Sequence, residues 1–137
     1  MATFNFFNSF TEAEAEKKHN LGADTLTLAL TNSASSASNT VLTDITQISY
    51  TNLSSRTLTT TSSAQTSGDY KLIIADKSLT ASGGSVATFR YVVIYNDTAT
   101  NDELIGWYDT GAGQTLADGD QFNINFDGTN GLIQKNV

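Results

Sequence analysis

Cysteine and proline are both absent from this 137-residue chain, and histidine, tryptophan and methionine occur once each. Without cysteine there is no disulfide framework, no thiol nucleophile and no thiolate metal site, which excludes a small secreted scaffold held by disulfides. The absence of proline suits strands throughout, yet it removes one device that protects exposed sheet edges. Charge is also sparse. Fourteen acidic against seven basic residues leave a net charge of −7. That balance opposes a phosphate-reading surface, so nucleic acid is not expected as a partner. No run approaches the roughly 18 apolar residues of a membrane span, and no membrane partner is expected. The opening MATFNFFNSF lacks the basic start and long apolar centre of a leader peptide, so a soluble, unprocessed chain is the expectation.

Reactive constellations are equally thin. The lone His19 follows Lys17 and Lys18 near the end of a predicted helix, where a structural or capping role fits better than general acid–base work. No G-x-S-x-G elbow is present, and a serine nucleophile would have to recruit that same histidine. Ten aspartates are available, but nearly all stand in turn contexts, where the carboxylate caps local amides. Asp118-Gly119-Asp120 and Asp127-Gly128-Thr129-Asn130 can be read as hard-cation ligands or as ordinary turns. Their spacing does not match an EF-hand loop, and turns are the expectation. Gly83-Gly84 lacks the strand–glycine–helix context of a phosphate cradle. The chain is accordingly expected to be no enzyme, with no catalytic residues, no cofactor and no metal.

What is present is serine, threonine, asparagine and glycine, patterned for strands. At this length a single domain over 1–137 is the expectation. Three of the four glutamates, Glu12, Glu14 and Glu16, precede Lys17 and Lys18. With Ser9/Glu12 or Thr11/Glu14 as a capping box and Gly22 as a left-handed stop, the spacing predicts a helix over 9–20. A β body over 24–137 follows. Leu26, Leu28 and Leu30 alternate with threonines as a half-buried strand, and 32–39 is a polar linker. Strand is weakly favoured over 41–50, and 51–68 fits either an exposed edge strand or a surface loop. Strands follow at Tyr70–Ile74 and at Thr88–Tyr95, the latter with Phe89, Tyr91, Val93 and Tyr95 on one face, Val92 and Ile94 on the other, and both faces covered. Leu104–Tyr108, Gln121–Phe126 and Leu132-Ile133 complete the set. The fold class is mainly β, a β-sandwich or small antiparallel barrel preceded by a short N-terminal helix.

Aromatic residues are unevenly placed. Four of the seven phenylalanines, Phe4, Phe6, Phe7 and Phe10, lie in the first ten residues. Exposed aromatics at that density are an aggregation hazard, so this N-terminal arm (1–10) must dock. It either packs on the protein's own sheet or anchors to a neighbouring subunit. Trp107 with Tyr108, and Tyr91 with Tyr95, are either core residues or a sugar-stacking platform.

Several segments together resemble a family of small virion proteins of tailed bacteriophages. They are Phe7–Phe10, His19-Asn20-Leu21-Gly22, Asp24-Thr25-Leu26 and Ala29–Asn32, then Thr80–Ser85, Phe89-Arg90-Tyr91 and Tyr95–Thr98, and finally Leu104–Trp107 and Leu116–Gly119. The resemblance covers most of the chain apart from 51–68. The chain differs in placing Thr11, Glu14 and Lys18 where the family's amphipathic helix carries apolar residues. Head decoration or cement proteins are similar in size and β-rich. The resemblance implies a capsid decoration protein on the outer surface of the virion, binding the major capsid protein and copies of itself as a homotrimer. Phe4, Phe6, Phe7 and Phe10 would then be the capsid or subunit interface. The alternative is a tail component or adhesin, with tail proteins as partners or a host surface glycan bound through Trp107 and Tyr108.

Overall fold

The computed structural model describes residues 2–136. A short strand, β1 (Phe4–Phe6), leads into helix α1 (Ser9–Ala15), and β2 (Leu26–Thr31) follows. After a single 3-10 turn at Leu42–Asp44 come β3 (Thr60–Thr66), β4 (Asp69–Ile74), β5 (Lys77–Thr80), β6 (Val86–Asn96), β7 (Leu104–Leu116), β8 (Gln121–Ile124) and β9 (Ile133–Lys135). The strands form three sheets in the orders β1-β7-β6-β2, β3-β4-β9 and β5-β8, with every pairing antiparallel. The fold is therefore mainly β with one short helix near the N-terminus, and no sheet closes into a barrel.

Leucine alternation explains the centre of the molecule. Leu26, Leu28 and Leu30 of β2 point to one side and meet Val92 and Ile94 of β6, Leu72 and Ile74 of β4, Leu79 of β5 and Ile133 of β9 in one core. The two smaller sheets thus contribute to the same interior as the four-stranded sheet. Its opposite face carries a second cluster, Phe7, Ala29, Ile45, Val93, Tyr95 and Leu104. Strand β6 is consequently covered on both faces, as its apolar run predicts.

Several details differ from the sequence pattern. The helix ends at Ala15 rather than 20, and Asn8 precedes it without a side-chain capping bond, so neither capping box forms. Its stop is Lys17, at φ 66°. Lys18 N–H donates to the Ala13 carbonyl at 2.8 Å and Lys17 N–H to that of Glu14 at 3.2 Å, the paired bonds of a left-handed helix terminus. Gly22 is not left-handed and lies against Ser63 instead. Second, β2 is buried on both faces, because Thr27 donates to Asp97 at 3.3 Å and the Thr31 hydroxyl accepts from Ser33 N–H at 3.0 Å. Third, 41–50 is no strand: Asp44 accepts from the Thr40 and Val41 amides and ties the 3-10 turn, while Leu42, Ile45 and Ile48 dock as separate anchors.

The fourth concerns phase. The β6–β7 register shifts between Val86 and Phe89 and again between Phe89 and Tyr91. A bulge exchanges faces, so Phe89 joins the core of Val92 and Ile94 and not the face of Val93 and Tyr95. Residues 51–68 divide between an irregular segment and the exposed edge strand β3. Strand β7 runs on to Leu116, eight residues past its predicted end at Tyr108, and β8 stops at Ile124, after which Asp76 accepts from Phe126 N–H at 2.8 Å. β9 pairs with β4 as a short terminal strand.

Candidate functional site

The N-terminal aromatics converge on one margin of the four-stranded sheet. β1 pairs antiparallel with β7, setting Phe4 opposite Tyr108, Asn5 opposite Trp107 and Phe6 opposite Gly106. Strand alternation sends Phe4 and Phe6 to one side and Phe7 to the other, so the arm straddles the sheet edge. On the first side the Phe4 ring centroid lies 4.9 Å from Tyr108 and 5.0 Å, edge to face, from Phe6. Phe6 in turn stacks on Phe10 of α1 at 5.2 Å. On the second side Phe7, only 1% exposed, lies 4.6 Å from Trp107. Backbone bonds fix the crossing: Phe7 N–H donates to Ile105 at 3.1 Å and Asn8 N–H to Ala37 at 2.9 Å.

Gly106 makes this docking sterically feasible. A Cβ built there would lie 2.3 Å from the Phe4 ring and 2.6 Å from the Asn5 carbonyl. Three of the four phenylalanines therefore pack against the chain's own body. The fourth, Phe6, is 43% exposed and is the one large hydrophobic side chain left open among the described residues. It sits on an edge strand, supported from below by Phe10 and from the side by Phe4, so a rigid aromatic face is held out to solvent at little entropic cost.

Trp107 and Tyr108 are not brought together. Adjacent residues on a strand face opposite sides, and here Trp107 packs with Phe7 while Tyr108 lies in the main core near Phe4 and Phe126. Burial pushes the Tyr108 hydroxyl up to about 12, with the Asp127 charge adding to it. Tyr95 is buried and Tyr91 half-buried. The aspartates of the candidate cation loops are engaged by backbone. Asp118 accepts from Gly83 N–H at 3.0 Å, Asp120 from Ala117 N–H at 3.0 Å, and Asp127 from Thr129 and Asn130 N–H at 2.8 Å. These amides, Asn130 first, hold the Asp127 carboxyl below its usual range.

His19 is a buried tie between the N-terminal segment and the β6–β7 connection. The Asn96 side-chain oxygen accepts from Thr98 and Ala99 N–H, which orients its amide nitrogen to donate to Asp24 at 2.6 Å and to His19 Nδ1 at 3.0 Å. The ring proton is thereby placed on Nε2, which is buried without a partner. Desolvation lowers the His19 pKa, against the pull of Glu103, Asp24 and Glu14. Sequence reasoning found the aromatic arm but missed Gly106, whose necessity depends on a strand arriving from far along the chain. It also missed Asn96, which reads as an ordinary turn residue.

No protein-family model matches the chain, and no curated protein or solved structure matches it.

Proposed function

We propose that this chain is a non-enzymatic structural protein of a tailed-phage virion, a decoration protein that binds the assembled head shell through its N-terminal edge. The observation that carries the reading is Phe6: one exposed aromatic, braced by Phe4 and Phe10, on an edge strand that the rest of the arm holds in place. An aromatic anchor of this kind seats in a pocket of a partner, and its neighbours exclude water around it. The resemblance of the segments named above supports the head shell as that partner. A protein that binds the lattice and not its free subunits stabilises the lattice by mass action, and many identical copies make modest contacts sufficient. The acidic surface limits adhesion to other anionic surfaces.

The glycan reading has less support, because Trp107 and Tyr108 lie on opposite faces of β7 and offer no shared platform. The test is cross-linking mass spectrometry on purified particles of the phage that encodes the chain. Links from Lys17 or Lys18, which follow the aromatic edge in sequence, to the major capsid protein are expected, and Phe6→Ser should lower occupancy of the shell. Links to tail proteins alone would transfer the chain to the tail-component class. Absence from particles would overturn the virion reading altogether.

A further inference from the structure

Strand β3 is an edge strand along all seven of its residues, and five of them are exposed. Its inner side pairs with β4, while its outer side presents unpaired backbone groups, the template on which another strand adds. The usual protections are missing. From Thr57 to Gly68 there is no charged residue and no proline, in a chain of net charge −7. The single register shift of the β3–β4 ladder lies between Thr60 and Ser62, which leaves Ser62–Thr66 regular. The open edges of β1 and β8 are also uncharged but only three and four residues long, and the others carry charge or a bend. β5 carries Lys77, β9 carries Lys135 in an ion pair with Glu14, and the outer half of β7 holds Asp109 and the left-handed Gly111.

We propose that β3 pairs antiparallel with β3 of a second copy about a two-fold axis, joining the two three-stranded sheets into one. Charge selects this occupant. Two copies of a strongly acidic chain repel over most of their surfaces, and β3 lies in a stretch where they meet with no like charges opposed. The sequence TTSSAQT is also self-complementary: centred on Ser63, the pairing sets Ser62 against Ala64, Thr61 against Gln65 and Thr60 against Thr66, all small or polar. Such an interface is isologous and closes on itself, so the second edge is consumed and growth stops at a dimer. The contact is separate from the Phe6 edge. It replaces the three-fold self-association that the resemblance implies with a two-fold one, and its test uses the isolated chain and stands whether or not the structural-protein reading does.

Sedimentation equilibrium of the full chain, from micromolar to submillimolar concentration, should give twice the 14.6 kDa monomer mass at the upper end. The variants Ser62→Lys/Ala64→Lys and Ser62→Glu/Ala64→Glu, each checked by thermal melting, should remain monomeric alone and form a dimer when mixed, because like charges then face opposite ones. Since the chain has no cysteine, Thr61→Cys mixed with Gln65→Cys gives an independent reading: the mixed disulfide should form faster than a control with Asp118→Cys. A wild-type protein that stays monomeric, a trimer, a dimer indifferent to the lysine pair, or a charged mixture that fails to associate would each overturn the proposal. Equal disulfide rates at Thr61/Gln65 and Asp118 would do the same if a charged variant failed to fold.

Discussion

Two edge strands, β2 and β3, are followed or preceded by similar serine- and threonine-rich sequence, and they treat that sequence in opposite ways. The outer side of β2 is sealed by residues 45–58. Ile48 N–H donates to Leu30 at 2.9 Å, Leu58 N–H to Leu26 at 2.9 Å, and Leu28 N–H to Arg56 at 3.0 Å. The Arg56 guanidinium donates to the Leu28 carbonyl and lies 3.7 Å over the Tyr50 ring, whose hydroxyl accepts from Leu30 N–H at 3.0 Å. Among the described residues, β3 has no such cover. Polar composition is shared, so composition does not decide which edge closes. The sealing segment carries Ile48, Tyr50, Arg56 and Leu58, which dock on the core or on β2, whereas Thr60–Thr66 carries no apolar anchor larger than Ala64.

Substitutions on the two strands should separate them most sharply. Leu28 is fully buried, so Leu28→Ala should cost about 2–5 kcal/mol in urea unfolding. Ser62→Ala on exposed β3 should stay within about 0.5 kcal/mol of wild type. Comparable losses at both positions would mean that β3 is not the open edge described. Removing the seal is the next largest effect. Arg56→Ala deletes a charged hydrogen bond to Leu28 and the contact with Tyr50, for an expected cost of about 2 kcal/mol. Amide exchange should accelerate over Leu26–Leu30 and leave β3 unchanged.

The pH dependence probes the N-terminal tie. His19 has its pKa lowered from 6.5 by burial, so the folded state binds its proton less readily than the unfolded chain. Its contribution is complete above 6.5 and is lost as pH falls from there through the folded-state value. His19→Gln should flatten that limb of a stability-versus-pH curve recorded by thermal melting. Asp44, Asp109 and Asp127 also have lowered values, held chiefly by the Thr40 amide, Arg90 and the Asn130 amide respectively. Their contributions are present above the usual carboxylate value of 3.8 and fade below it. The smallest expected change is a gain: Lys17→Gly relieves a left-handed lysine and should stabilise by about 0.5–1 kcal/mol, seen as a higher urea midpoint.

Much of the fold was legible wherever period two was unbroken. Leu26, Leu28 and Leu30, or Phe122 and Ile124, announce both strand and inward face. Legibility failed where a bulge changed phase, as at Phe89, because the glycines that accompany the shift, Gly111 and Gly113, lie on the partner strand β7 and not beside Phe89 in sequence. It failed over 41–50 because Leu42, Ile45 and Ile48 recur every third residue, a spacing that suits neither a strand nor a helix of ordinary length. At the candidate site the aromatic cluster stood out by density alone, while which of the four rings stays open depends on β7 and α1 meeting at Phe6. The separation of Trp107 from Tyr108 was readable in advance, since neighbours on a strand cannot share a face.

The most direct test of the account, that one edge is sealed within the chain and the other is kept for a partner, is hydrogen–deuterium exchange at two protein concentrations. Leu26–Leu30 should be protected equally at both, whereas Thr60–Thr66 should exchange quickly in dilute solution and slow as concentration rises. Exchange over Thr60–Thr66 that is the same at both concentrations would contradict it.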